Sequence, residues 1–209
     1  MGSKIVVDKS DVLGLNLALA GIRNGVPRVL STSINKTIKT TQVQATKIIG
    51  QVINLPAKRI KSDFKQEKAN FSRLSGALIA SGQPVGLVNF QARQVKKGVT
   101  QKVIRTDSRS LVPGAYIGPG KASTNARDKG ARKHVFRRAY RGPKMAVVPG
   151  RNYAAMPEKF RLPVSRLTGP RVEDIYARPT VYGKVTSIAA DTYAKNVAAE
   201  TKSLLRRFG

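Results

Sequence analysis

His134 is the single imidazole of the chain, and among its sequence neighbours Lys133, Val135, Arg137 and Arg138 the only acid nearby is Asp128. A catalytic imidazole needs a group to orient it, and a metal-bound one needs further ligands. A structural or surface histidine is therefore expected. The glycine-rich stretch Gly114-Ala115-Tyr116-Ile117-Gly118-Pro119-Gly120-Lys121-Ala122 superficially matches a phosphate-binding loop. That loop requires a glycine five positions before its Gly-Lys pair and a hydroxyl directly after the lysine for magnesium. Ala115 and Ala122 stand in those places, so nucleotide hydrolysis is not expected. The 11 acids are scattered, with only Glu173 and Asp174 adjacent, and there is no cysteine. A cysteine nucleophile, a disulfide framework and a zinc finger are excluded. The residues point to no catalytic constellation, no metal site and no cofactor.

The cations carry the strongest signal. Between positions 121 and 144 stand Lys121, Arg127, Lys129, Arg132, Lys133, Arg137, Arg138, Arg141 and Lys144, against Asp128 alone. Phe136 and Tyr140 interleave with the arginines. Guanidinium groups grip phosphate with two parallel hydrogen bonds, and aromatic rings stack on bases, so this segment is a candidate phosphate- or partner-binding site. The other reading turns Phe136 and Tyr140 inward and sets the arginines against acidic protein. A second basic group, Lys58, Arg59, Lys61 and Lys65, follows Pro56.

Composition agrees with a binding or assembly role. In 209 residues there are 39 Lys and Arg against 11 Asp and Glu, a net charge of +28. A chain so charged repels its own copies and seeks phosphate or acidic protein surface. Leu, Ile, Val and Phe supply 54 residues, enough for a packed core. The length suits one medium domain with arms, not two full domains and linkers. No apolar run approaches the roughly 20 residues of a membrane span, and the first residues, Met1 to Asp8, lack the apolar core of a signal peptide. No membrane partner is expected, and the chain reads as soluble and intracellular at synthesis.

The elements that would position these residues follow from periodicity. Ser10-Asp11 can cap a short helix to about Arg23, with Val12, Leu15, Leu19 and Ile22 on one face. Gly25 ends it and Pro27 suits the first turn of a second, long helix to about Ile53. On that helix Ile34, Ile38, Thr41, Ala45, Ile48 and Val52 alternate spacings of four and three, a narrow apolar stripe. It would lie across a sheet or a partner helix of its own chain, or form a coiled coil with another chain. Asn54-Leu55-Pro56 breaks it before a short helix from Ala57 to about Phe64. Short β-prone segments follow over 71–81, 85–95 and 98–105, with Lys96-Lys97-Gly98 fitting a hairpin turn. Ala115 to Ile117 and Val135 to Ala139 can add strands. Gly118 to Lys133 reads as a long polar loop, 142–179 as Pro- and Gly-punctuated chain, and about Val185 to Phe208 as a C-terminal helix with Ile188, Tyr193, Val197, Leu204 and Phe208 on its apolar side. The class is α+β: long N-terminal helices and a C-terminal helix on a small, mostly antiparallel sheet, with a long basic loop. The expected layout is a short arm over 1–25, a core over 26–180 containing the basic loop 118–144, and a C-terminal helix over 181–209 packed on the core.

Four stretches in order carry a resemblance to a known family. They are Ser33-Ile34-Asn35-Lys36-Thr37 through Leu55-Pro56-Ala57-Lys58-Arg59-Ile60; Val88-Asn89-Phe90-Gln91-Ala92-Arg93-Gln94-Val95-Lys96-Lys97-Gly98-Val99; His134-Val135-Phe136-Arg137-Arg138; and Arg161-Leu162-Pro163-Val164-Ser165-Arg166-Leu167-Thr168-Gly169-Pro170-Arg171-Val172. Together they resemble the minor tail protein Z family of long-tailed bacteriophages, over roughly residues 28 to 175. The resemblance implies a structural virion protein at the head-proximal end of the tail, a tail completion or neck component without catalytic residues. It implies as partners the tail terminator, tail tube and connector, a homo-oligomeric ring with six-fold symmetry, and genomic DNA passing through the tail lumen. Localisation would be the virion, with host cytoplasm during assembly. Six copies at +28 each bring +168, which demands neutralisation by acidic neighbours or DNA. The competing class is a free basic RNA- or DNA-binding protein, ribosome- or nucleoid-associated. The charge permits that too.

Overall fold

The computed structural model describes residues 2–6, 9–119, 133–138 and 164–208. The fold is α+β, with antiparallel strands distributed over three three-stranded sheets in place of the single small sheet expected. The chain forms two compact units, the first from 1–52, 56–83 and 171–209, the second from 53–55 and 84–170. Of the basic loop expected over 118–144, only Gly118, Pro119 and Lys133–Arg138 fall within the described residues.

The first unit holds α1 (Lys9–Ala18), α2 (Gly25–Val52), α3 (Ala57–Ser62), α4 (Val172–Tyr176) and α5 (Pro179–Phe208). Its sheet is ordered β1-β3-β2, from β1 (Gly2–Val6), β2 (Phe64–Glu67) and β3 (Ser75–Ala80). The first helix stops at Ala18, short of the expected Arg23, because the chain reverses through Gly21 (φ +94°) and Asn24 (φ 56°). Glycine and asparagine accept this left-handed conformation most readily. Leu19, beyond the helix end, still packs with Val29 and Leu204, joined by Ile22, Val26 and Val197.

On α2 the predicted stripe residues Ile34, Ile38, Thr41 and Ala45 are buried. Burial then passes to Ile49, while Ile48 and Val52 are only half-buried. Leu30, Ser33, Thr37, Gln42 and Thr46 are buried as well, so the face is broader than a single seam. The cause is that α5 and β3 both pack on α2. The chain itself covers the stripe. Thr37 and Thr46 satisfy their hydroxyls on the carbonyls of Ser33 (2.8 Å) and Gln42 (2.7 Å) one turn back. Close approach of β3 needs Gly76, since a Cβ there would lie 2.5 Å from Ile38 Cδ1 and 2.8 Å from Ile34 Cγ2.

The long α5 runs antiparallel to α2. Lys36 on α2 pairs with Glu200, Asn196 Nδ2 donates to Thr37 Oγ1 at 3.0 Å, and Val29 meets Leu204. The helix begins at Pro179, earlier than the expected Val185, because proline is well placed in a first turn where no intrahelical N–H is required. Its buried side is Val181, Val185, Ala189 and Leu204, with Phe208 exposed at the end instead of packed as expected. Tyr176 of α4 is fully buried and meets Phe64 edge-on at 5.5 Å and Tyr182 at 5.9 Å.

In the second unit, β4 (Arg93–Val95), β5 (Gly98–Gln101) and β6 (Ser110–Pro113) form one sheet, and β7 (Ala115–Pro119), β8 (Lys133–Arg138) and β9 (Val164–Arg166) another. Lys96 and Lys97 form the tight connection of the β4–β5 hairpin, as their sequence predicts, with Val95 opposite Gly98. Residues 85–95 are not one strand. Leu87–Asn89 is a 3-10 turn, where Asn89 donates to the Gly86 carbonyl through its backbone N–H (3.0 Å) and Nδ2 (3.1 Å). That turn drives Phe90 inward, where it is fully buried and its ring fills the space above Gly169; a Cβ on Gly169 would come within 2.5 Å of Phe90 Cε2.

Candidate polyanion-binding face

The second unit carries 19 Lys and Arg against three Asp and Glu, a net charge of +16 over 90 residues; the first carries 20 against eight, +12 over 119. Asp107 is the only acid among the second unit's described residues, and it is exposed and accepts from the Thr106 hydroxyl. Its cations Arg93, Lys96, Lys97, Arg105, Lys133, Arg137 and Arg166 are all exposed. Exposed like charges with so few local counter-charges set up a positive potential that draws anions to the surface.

Three-stranded pairing decides which of these point together. Across β7 and β8, Tyr116 faces Phe136 and Ile117 faces Val135; across β8 and β9, Phe136 faces Arg166 and Arg137 faces Ser165. Alternation of side chains along a strand then puts Tyr116, His134, Phe136 and Arg166 on one face. Tyr116 and Phe136 have ring centroids 5.9 Å apart, and His134 meets Phe136 edge-on at 6.0 Å. All three rings are half-buried. Gly118 leaves room for them, since a Cβ there would sit 3.3 Å from Tyr116 Cε2 and 3.5 Å from Phe136 Cδ2. The Arg166 side chain lies over Gly86, with Nη2 3.0 Å from where a Cβ would stand. Lys133 and Arg137 emerge on the opposite face, at either end of fully buried Val135.

Beside β7 opens a cleft of about 620 Å³ lined by Gln94, Lys96, Lys97, Gly98, Gly114, Ala115 and Tyr116. Gln94 is its brace: its Oε1 accepts from the Ile117 N–H at 2.8 Å, and its Nε2 donates to the Gly98 carbonyl at 2.9 Å. Gly114 N–H donates to the Lys97 carbonyl at 3.1 Å and closes the inner edge. Gly98 (φ +151°) is obligatory here, for a Cβ would collide with the Val112 carbonyl oxygen. The cleft offers two ammonium groups and the edge of a phenol, a set that fits phosphate or carboxylate oxygens.

Of the nine predicted binding residues, Lys133 and Arg137 are described and exposed on β8. Arg138 belongs to the same strand, and Lys121, Arg127, Lys129, Arg132, Arg141 and Lys144 lie outside the described residues, as does Tyr140. The choice between aromatic rings free for stacking and rings packed inward has an intermediate outcome at Phe136, held half-buried between Tyr116 and His134. Of the glycine-rich stretch, Ala115–Pro119 run as strand β7, and Gly120, Lys121 and Ala122 lie outside the described residues. The second basic group separates: Arg59 pairs with Asp63, while Lys58, Lys61 and Lys65 are exposed. Sequence alone marks Lys96 and Lys97 only as a turn and does not single out Arg93 and Arg166 as site residues. A signal is present in the tight turn itself, which must project both lysines.

Three of the four stretches that carry the family resemblance meet within this unit. The Phe90 ring of the second stretch lies against Gly169 of the fourth, and the Leu167 N–H donates to the Val135 carbonyl of the third (2.9 Å). Just ahead of the second stretch, the Leu87 N–H donates to the Leu167 carbonyl (3.1 Å) and the Val85 carbonyl accepts from the Gly169 N–H (2.7 Å). Among the described residues no three of His, Asp and Glu gather as a metal site, and no helix is long and apolar enough to cross a membrane. Comparison of the chain with protein-family models, curated proteins and solved structures returns no match.

Proposed function

We propose that this chain is a structural virion protein of a tailed bacteriophage, a tail completion or neck component that helps terminate the tail and join it to the head. The observation that carries the reading is the second unit, in which the stretches around Phe90, Val135 and Leu167 share one hydrogen-bonded body beneath an exposed cationic surface. In this reading the Arg137 and Lys96–Lys97 regions meet acidic faces of the tail terminator, tail tube or connector, or the DNA end held in the tail lumen. Copies would assemble as a six-fold ring only once such partners offset the charge.

A free RNA- or DNA-binding role is the second reading, favoured by the row Tyr116, Phe136 and His134 beside Arg166. Location separates the two. A nuclease-treated lysate of producing cells, fractionated on a density gradient in moderate salt and probed for this chain, should show it in virion and tail fractions. Micrographs should show label at one end of the tail. Signal confined to ribosomal or soluble nucleic-acid fractions would sink the tail reading and promote the second.

A further inference from the structure

A groove of about 920 Å³ lies along α1 and α5 of the first unit, charged at its rim and apolar along its floor. Leu15, Tyr193, Ala194, Val197, Ala198 and Leu205 line it, and Gly14 adds no side chain to fill it. On α5 the positions 194, 198, 201 and 205 recur at spacings of four and three, so they form one continuous stripe. Ala194 and Ala198 are exposed, and Leu205 keeps 40% of its surface in water. The small Ala194 and Ala198 on this stripe, beside the larger Tyr193, Val197 and Leu205, make a trough that accepts the ridge of another helix.

The rim says which helix. Lys202 and Arg206, one turn apart, both line the groove. Glu200, the acid closest to them in sequence, is already engaged by Lys36. A second copy of this chain would bring another +28, with Lys39 and Lys47 exposed on its long helix. Like charges across an apolar contact oppose it, and opposite charges select the partner. We propose that this groove docks an amphipathic helix of a partner protein, with apolar residues at i, i+3/i+4 and i+7 in the trough and carboxylates facing Lys202 and Arg206. The inference does not depend on the tail reading and holds for any partner of that chemistry.

The test uses the full-length protein and three labelled helical peptides followed by fluorescence anisotropy. One has a leucine ridge flanked by glutamates, one is its scramble with the same charge, and one has the same ridge flanked by lysines. The glutamate-flanked helix should bind at least ten-fold more tightly than either of the others. Ala198→Trp, which fills the trough at an exposed position, should weaken it at least ten-fold. Lys202→Glu with Arg206→Glu should reverse the preference toward the lysine-flanked helix. Should Ala198→Trp disturb the helical circular dichroism, Leu205→Ser replaces it and should give the same loss. Equal binding of the scramble would reduce the effect to bulk charge and overturn the proposal. So would unchanged affinity in the filled variant. Self-association in sedimentation that Ala198→Trp abolishes would assign the groove to a second copy and reject the acidic partner.

Discussion

The two units solve opposite problems with a similar supply of cations. In the first, acids are available and are used: Lys36 with Glu200, Arg59 with Asp63, Arg73 with Glu67 at 3.2 Å. A broad helix face then buries Leu30, Ile34, Ile38, Ala45 and Ile49 against α5 and β3. In the second, Asp107 is the one described acid, and short strands hold exposed cations around a small core of Ile53, Val85, Phe90, Val99 and Val135. Exposed pairs contribute only about 0–1 kcal/mol each, so the first unit's stability rests on its apolar face. Among the described residues of the second unit no ion pair offsets that charge. A surface that forgoes local neutralisation is suited to being neutralised by something else.

Breaking the core of the first unit should have the largest effect. Ile34→Ala removes a fully buried side chain wedged beside Gly76 and should cost about 2–5 kcal/mol in chemical denaturation. Far-UV circular dichroism would follow the loss, because α2 and α5 supply most of the helix. A cost under about 1 kcal/mol would mean the α2–β3 contact is not a core contact. In the second unit the sharpest lesion is backbone, not core. Gly98→Ala meets both a positive φ and the Val112 carbonyl, and such strain costs on the order of 1–3 kcal/mol. Its signature should be weakened anion binding at the Lys96–Lys97 cleft while the helical signal persists. Intact binding by the Gly98→Ala variant would show that the hairpin turn does not shape the cleft.

How far each unit is legible in the sequence follows the same contrast. Period 3.6 is a long-range signal, and over α2 it marks Ile34, Ile38, Thr41 and Ala45 correctly. It errs at Ile48 because a stripe assumes one neighbour and this helix has two. The start of α5 escapes because Pro179 reads as a breaker until its place in a first turn is known. In the second unit, signals of three to five residues have to carry the reading. The Lys-Lys-Gly turn is clear, since tight turns have strong local chemistry. The segment 85–95 is not, because Val85, Leu87 and Val88 have strand propensity, and only burial of Phe90 against Gly169 explains the turn that interrupts them. The cleft is out of reach for another reason. Lys96 and Tyr116 stand 20 positions apart, and nothing in either stretch announces that Gln94 links β4 to Ile117.

The comparison sharpens through salt. Each phosphate contact contributes roughly 0.9 to the slope of log K against log salt on duplex DNA. Replacing Lys96, Lys97 and Arg137 with Glu should flatten the slope of duplex binding by about 2–3. The same exchange at Lys58, Lys61 and Lys65, equally exposed in the first unit, should flatten it by less than about 1. Filter binding over a salt series would decide. Equal losses from the two triple variants would mean that total charge, not the second unit's surface, governs attraction to DNA.

Thr41 offers the smallest and most discriminating change. It is 2% exposed on α2, and its Oγ1 has no hydrogen-bond partner among the described residues, unlike Thr37 and Thr46. A buried hydroxyl without a partner carries a desolvation cost of about 1–3 kcal/mol, part of which replacement by a methyl relieves. Thr41→Val keeps the branched shape and should leave the midpoint of thermal unfolding unchanged or raise it by a few degrees, equivalent to about 0.5–1 kcal/mol. Thr37→Val, which instead strips the acceptor of Asn196 Nδ2, should lower stability by about 1–2 kcal/mol. Opposite signs at two threonines one turn apart would place the link between α2 and α5 in specific polar contacts as well as in apolar burial. Destabilisation by Thr41→Val would reveal a partner for that hydroxyl and leave the first unit's core more polar than its buried face suggests.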